Sequence, residues 1–460
     1  MITETLMAAL LLAGPTPTPG DYDGAAPRST VGDTVQGEEL TLAEVLESAL
    51  RTHPSVAGAE ARADAAAAAR GEARAARLPT VAASAVATQY QEPMVVAPLH
   101  GFDIRSPPQF DETLYQGHAS AEYTLFDGGA RGARIRASTA LESSAASGLA
   151  AACDRVFADV TSAYLAALTA DEVLRAHDRW VEALEEEKAR ARLLFEEGKT
   201  PRLAVLRTEA ALSRARAERE AADEGLRLAH HRLARVSGLD AGRVRSATLA
   251  GVALAEETLR GREALVAQAR EANPGLAQAS SRVSATETRV AAARSSYLPR
   301  VSVSGRYSAF GAPGTDVLGE WQAGVQVSYP LFTGGARGAG VERAEAEAAA
   351  ARAERRLAEQ EVADAVDAAL LAYRSAGARV TALAAAVEQS AEVARIEALA
   401  LESGAGVQTD YLRAEAELME ARSGLAEARH AEVQARVRLA QATGTLTEEW
   451  LAQLTERAER

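Results

Sequence analysis

The sequence predicts a mainly α-helical fold that also carries transmembrane β-strands, organised as two tandem repeats, each with long helices and two strands. Three observations predict it. The chain matches itself with its features in the same order in both halves. Short segments in each half alternate apolar with polar residues. Two very long stretches, residues 131–200 and 331–460, lack proline and are rich in Ala, Glu, Arg and Leu.

The self-match comes first, because internal repetition decides how the rest is read. His53-Pro54 pairs with Asn273-Pro274 and Leu78-Pro79 with Leu298-Pro299, each 220 positions apart (274 minus 54, 299 minus 79). The shift then becomes 206 (329 minus 123), where Tyr123-Thr124-Leu125-Phe126 and its Gly128-Gly129-Ala130-Arg131-Gly132-Ala133 meet Tyr329-Pro330-Leu331-Phe332 and Gly334-Gly335-Ala336-Arg337-Gly338-Ala339. Gly198 meets Gly404, Leu206 meets Leu412 and Gly238 meets Gly444. The difference of 14 (220 minus 206) falls between the Leu-Pro and Leu-Phe landmarks, so the first copy has the longer loop there.

Each copy opens with helices over about Leu42 to Arg77 and Arg262 to Ser296. Pro54 and Pro274 sit where a helix restarts, since proline at the first helical position gives up an N–H that would be unpaired anyway. His53 reads as a capping or surface residue.

After Pro299, Val301, Val303, Gly305 and Tyr307 alternate with Ser302, Ser304, Arg306 and Ser308. That period of two marks a strand with one greasy and one wet face. Val325, Val327, Tyr329 and Leu331 form the return, and Val81 to Ala87 with Ala119 to Leu125 are the weaker counterparts in the first copy. Strands of about 9–11 residues with alternating faces suit a membrane barrel, because hydrocarbon tolerates no unpaired backbone and only a closed sheet pairs it all. Four strands cannot close one alone. The joining loops are expected at about Gln91 to Tyr115, with Pro93, Pro98, Pro107 and Pro108, and at Gly311 to Glu320. Tyr90, Phe310 and Trp321 near the loops, and Tyr123 and Tyr329 at the far ends, are placed for membrane interfaces.

Beyond each Gly-Gly, helices from Ala130 to Glu196 and from Ala336 to Glu402 would each reach roughly 100 Å at 1.5 Å per residue. An Ala-rich seam lets such helices pack closely in a curved wall. Gly198 and Gly404 turn the chain back, and Gly238 and Gly444 end the returning helices as C-caps.

Composition excludes several classes of function. A net charge of -14 argues against a nucleic-acid partner. Cys153 is the single cysteine, so an intrachain disulfide or Cys-based metal cluster is impossible. His230-His231 lacks the partners of a metal motif, the Gly-Gly-Ala-Arg-Gly-Ala repeats lack the Lys-Ser or Lys-Thr of a phosphate loop, and Glu185-Glu186-Glu187 reads as a solvated helix face. No catalytic, metal or cofactor residue is assigned. Leu6 to Gly14, followed by Pro15, Pro17 and Pro19, resembles the apolar core of an export signal, although Glu4 precedes it without Lys or Arg. The remaining functions are a conducting duct, a periplasm-spanning coiled-coil scaffold without conduction, and, least supported, a soluble enzyme.

Together, from about Leu40 to Leu446, these landmarks resemble the TolC-like outer-membrane efflux protein family. The resemblance divides the chain into an export signal and N-terminal extension (1–39), a first repeat (40–240), an equatorial linker (241–261), a second repeat (262–446) and a C-terminal tail (447–460). It implies a homotrimer whose protomers each give four strands to a twelve-stranded barrel and four helical strands to a periplasmic tunnel. It further implies passive conduction in a tripartite efflux pump or type I secretion system, with outer-membrane lipid, a periplasmic adaptor and an inner-membrane transporter as partners. The adaptor is expected at the hairpin tips, Glu197-Gly198-Lys199 and Ser403-Gly404-Ala405. The gate is expected at Asp410, paired with Arg413 one turn on or with Arg207 of a neighbouring hairpin.

Overall fold

The computed structural model describes residues 39–100, 105, 107–252, 260–447 and 450. The export-signal segment and nearly all of the C-terminal tail lie outside the described residues. The first copy begins with a short strand β1 (Glu39–Leu40) and helix α1 (Leu42–Thr52). Thr41 caps α1 reciprocally: its hydroxyl accepts from the Glu44 amide at 3.3 Å, and the Glu44 carboxylate accepts from the Thr41 amide at 3.1 Å. The chain breaks at His53, whose ring nitrogen Nδ1 accepts from the Ser55 amide at 3.2 Å, and Pro54 opens α2 (Pro54–Ala75). The helix restart expected at Pro54 is thus present, two helices meeting at the proline.

Strands β2 (Thr80–Val95) and β3 (Phe110–Phe126) follow, then α3 (Ala130–Glu196), α4 (Arg202–Ser237), α5 (Ala241–Ser246) and β4 (Thr248–Leu249). The second copy repeats the plan with α6 (Arg262–Ala272), α7 (Pro274–Arg294), a 3₁₀ turn at Ser295–Tyr297, β5 (Arg300–Gly311), β6 (Leu318–Ser328), α8 (Ala336–Glu402) and α9 (Gln408–Thr443). The long helices match in length between the copies, 67 residues in α3 and α8 and 36 in α4 and α9. Glycines at matched positions set those lengths. Gly238 and Gly444, both at φ 71°, end α4 and α9 in the left-handed region that only glycine enters cheaply.

The helices form a wall one layer thick. In the half nearer the sheet the neighbours run α2, α3, α7, α8, and in the far half α4, α3, α9, α8, so α3 and α8 run through both halves. The largest apolar cluster sits midway, where Leu42, Val45 and Leu46 of α1 meet Val156, Val160 and Tyr164 of α3, Leu233 of α4 and Val437 of α9. Tyr164 is fully buried and ties this belt to the two-stranded parallel sheet β1-β4, its hydroxyl lying 2.8 Å from the Leu40 carbonyl and 2.7 Å from that of Ala250. Smaller clusters lie towards the tips, around Trp180, Leu184, Leu212 and Ala215 and around Ala394, Ala414 and Leu418. The packing is therefore a succession of separate clusters, and "coiled coil" overstates its regularity.

The four long strands form one antiparallel sheet in the order β2-β3-β5-β6. They hold 16, 17, 12 and 11 residues, so β2 and β3 far exceed the expected 9–11, β5 exceeds it by one, and the loops shrink to residues 96–109 and 312–317. Pro93 lies inside β2 because the register slips between Gln89 and Met94, and a bulge needs no amide at that point. Conversely β6 stops at Ser328, short of the expected Tyr329 and Leu331. Pro330, standing where β3 has Thr124, has no N–H to donate to a ladder.

Candidate functional site

Register separates the sheet into two chemically distinct faces. One face carries Val301 opposite Val327, Val303 opposite Val325 and also opposite Tyr123, Gly305 opposite Ala323 and Ala121, Tyr307 opposite Trp321 and Ala119, and Val81 opposite Ala121. No charged residue falls on it between these pairs. The other carries Ser302 opposite Gln326 and Thr124, Ser304 opposite Glu122, Arg306 opposite Gln322 and Ser120, and Ser308 opposite Glu320 and His118. Polar contacts cross that second face, His118 Nδ1 to Ser308 Oγ at 3.0 Å and Arg300 to Thr124 Oγ1 at 3.1 Å.

The apolar face is uncovered in the chain: Val81 is 77% exposed, Trp321 76%, Val325 67% and Val327 66%. Tyr115, Tyr307 and Trp321 lie towards its loop end and Tyr123 at its helix end. From Tyr115 to Tyr123 along β3 is about 27 Å at 3.4 Å per residue, matching an apolar band about 25 Å tall between aromatic girdles. Phe310 corrects one expectation. It lies on the polar face, 8% exposed and edge-on to His118 at 6.1 Å, and so is no interfacial anchor. Its even-numbered position, out of phase with Val301 and Val303, already carried that information.

The Gly-Gly turns join this sheet to the long helices. Gly128 and Gly129 adopt φ 66° and 86°, and Gly334 and Gly335 adopt 58° and 84°. In the first copy Asp127 takes the free amides, accepting from Gly129 at 3.2 Å and Arg131 at 2.9 Å. A carboxylate already fills the place a phosphate would take.

At the far end both hairpins turn in the same way. Gly198 and Gly404 adopt φ 74° and 76°; the amide of Lys199 donates to the Leu194 carbonyl and that of Ala405 to the Ala400 carbonyl, each at 2.9 Å or less. These six-residue closures satisfy the last helical carbonyls. Glu197, Gly198, Lys199, Ser403, Gly404 and Ala405 therefore form the exposed tips, with Lys199 Nζ 2.7 Å from Glu197 Oε2. Asp410 occupies the first turn of α9, and Asp410, Arg413 and Arg207 are all exposed. Among the described residues they form no ion pair, so the expected Asp410–Arg413 contact is not made within the chain: the two side chains extend into solvent, where an i, i+3 attraction is weak.

A contact that no sequence motif announces joins the hairpins beside their tips. Gln408 Nε2 donates to Glu187 Oε1 at 3.0 Å and to Thr208 Oγ1 at 2.8 Å, linking α9 to both α3 and α4. Arg190 approaches Glu187 Oε2 at 3.6 Å and Glu402 at 3.4 Å, bringing in α8. Glu187 is only 3% exposed and Thr208 fully buried, which overturns the reading of Glu185-Glu186-Glu187 as wholly solvated. Trp180, Leu184 and Ala191 are buried on the same helix, and Glu187 stands at the intervening heptad-like position, the signal that could have found it. Tyr411 packs beside this network, its hydroxyl pushed up to about 12 by burial and by Glu415 and Glu187. The network is incompletely satisfied: among the described residues Glu187 Oε2, Arg190 Nη1 and Gln408 Oε1 are buried without a hydrogen-bond partner.

His230 and His430 are both shifted down by burial, and among the described residues no group of three metal-ligating side chains comes together. No described helix is long and apolar enough to cross a membrane, which is silent about strands.

Comparison with known proteins gives a family match, "outer membrane efflux protein", over residues 45–239 and again over 265–445, once for each copy. No curated protein matches the sequence. Among solved structures, the outer membrane protein VceC of Vibrio cholerae is 21% identical with a TM-score of 0.73, covering 88% of this chain and 96% of its own. The CmeC outer membrane channel of Campylobacter jejuni is 16% identical with a TM-score of 0.74, covering 91% and 89%. The open-state MtrE outer membrane channel of Neisseria gonorrhoeae is 18% identical with a TM-score of 0.70, covering 94% and 99%.

Proposed function

Because the chain belongs to the outer membrane efflux protein family, and is thus an outer-membrane exit duct with its helices in the periplasm, we propose that three copies close into one passive conduit. Each would give four strands to a twelve-stranded barrel, apolar face to lipid and polar face to water, while the helical walls enclose a tunnel. The observation that carries this reading is the register of β3, β5 and β6, which sorts every Val and Trp of those pairs to one face and every charged residue to the other. A scaffold spanning the periplasm without conduction needs no such sheet. The sheet also has open edges at β2 and β6, which a closed ring removes.

In this reading the tips meet a periplasmic adaptor and, through it, an inner-membrane transporter. Asp410 becomes a ring of three carboxylates at the constriction, where like charges attract cations. Arg207 and Arg413, which form no ion pair among the described residues, are available to carboxylates of a neighbouring protomer. Crosslinking from position 199 or 405 to a co-expressed adaptor tests the docking surface. Detergent extraction followed by planar-bilayer recording tests the conduit: a heat-resistant trimer with discrete conductance is expected, and a soluble, non-conducting monomer would contradict it.

A further inference from the structure

Between α3, α4 and α9, close to the central apolar belt, lies a cavity of about 320 Å³ lined by Arg155, Arg232, Arg438, Asp159, Thr161 and Gln434, among others. Two amide bridges bracket it. Gln434 Nε2 donates to Ser162 Oγ at 2.7 Å at one end, and Gln441 Nε2 to the Asp154 carbonyl at 3.3 Å at the other. From 154 to 162 on α3 the slot runs about 12 Å at 1.5 Å per residue.

Its charge is unusual for so acidic a chain. Among the described residues Arg155, Arg232 and Arg438 make no ion pair or hydrogen bond, although all three line one slot. Asp159 is the one acid in the lining, leaving an excess of two positive charges (three minus one). On the floor Thr161 is fully buried, yet its hydroxyl has no partner among the described residues. A helical threonine ordinarily satisfies its hydroxyl on the carbonyl four residues back, as Thr169 does at 2.8 Å, so an orphaned one beside three free guanidinium groups calls for an acceptor from outside.

We propose that this slot binds a compact, doubly charged oxyanion of the phosphate class, held by the forks of Arg155, Arg232 and Arg438 and by the Thr161 hydroxyl. A divalent anion balances the excess charge, and guanidinium matches its oxygens in pairs. A lipid headgroup is out of reach, because Arg155 lies 25 residues (155 minus 130), or about 38 Å, along α3 from the end next to the sheet. The source is therefore free phosphate or a small soluble phosphate monoester. Bound there, the anion joins α4 to α9, which otherwise touch little, and so stiffens the wall at its waist.

Isothermal titration calorimetry on the intact detergent-solubilised protein tests this, with inorganic phosphate and glycerol 2-phosphate as probes at constant ionic strength set by chloride. Saturable binding of phosphate is expected, weakened at least tenfold in Arg232→Gln/Arg438→Gln and severalfold in Thr161→Val, which keeps all charges and so stands if the double variant misfolds. Binding of both probes assigns the slot to esters, and of phosphate alone to the free ion. Absence of saturable heat in the parent protein, or unchanged affinity in both variants, would overturn the site.

Discussion

Gln408 donates to the buried Glu187 carboxyl group at 3.0 Å, and this contact ties the second hairpin to the first beside their tips. Neither residue lies in the turns themselves, so the tie can be broken without disturbing the closures at Gly198 and Gly404. Gln408→Ala should raise the open fraction in single-channel recordings, and Gln408→Glu should raise it further, because two carboxyl groups at hydrogen-bond distance repel. Leaving Glu187 Oε1 without its hydrogen bond should cost about 1–3 kcal/mol. Identical traces for parent and both variants would remove this contact from gating.

Asp410 stands exposed in the first turn of α9. If it rings the constriction, Asp410→Ala should lower cation preference measured as reversal potential in a salt gradient, while Arg207→Ala with Arg413→Ala should raise conductance. Unaltered selectivity and conductance would place the narrowest point elsewhere.

Tyr164 lies between the carbonyls of Leu40 and Ala250 with no access to water. Tyr164→Phe keeps the packing and removes the hydroxyl, so thermal unfolding should report a loss of about 1–3 kcal/mol. A neutral result would mean that β1 and β4 are held by Leu40 burial alone.

Asp154, half-buried on α3, has its carboxyl pushed up to about 6 by burial. A folded-state value above the unfolded one means that the folded chain holds the proton more tightly, so charging Asp154 costs stability as pH rises through 6. Asp154→Asn should therefore raise the melting temperature at pH 8 and leave it nearly unchanged at pH 4. An equal gain at both values would attribute the effect to packing.

Much of this architecture was legible in the sequence because glycine and proline mark it. Gly129, Gly198, Gly238 and their partners at 335, 404 and 444 occupy left-handed turns, so the ends of the four long helices could be read directly. His53-Pro54 and Asn273-Pro274 likewise announced a helix restart, confirmed by the caps on Ser55 and Gly275. Strand ends were less legible: Pro93 is absorbed by a bulge, whereas Pro330 ends a strand, and the residue type alone cannot separate these outcomes. Beside the tips, charge does not imply exposure. Glu187 is buried where Gln408, distant in sequence, reaches it, and Arg190 one turn on approaches it at 3.6 Å, while Asp410 and Arg413, at the same i, i+3 spacing, form no ion pair among the described residues.

The assignment of the sheet's two faces is tested most directly at neighbouring positions of β5, where Val303 lies opposite Val325 and Ser304 opposite Gly324. Folding yield into lipid bilayers should be measured for Val303→Arg and Ser304→Arg. An arginine at mid-depth on the lipid face costs about 2–4 kcal/mol, whereas one on the water-filled face costs little. Val303→Arg should therefore fold in much lower yield and Ser304→Arg close to the parent; equal yields, or the reverse order, would contradict the account.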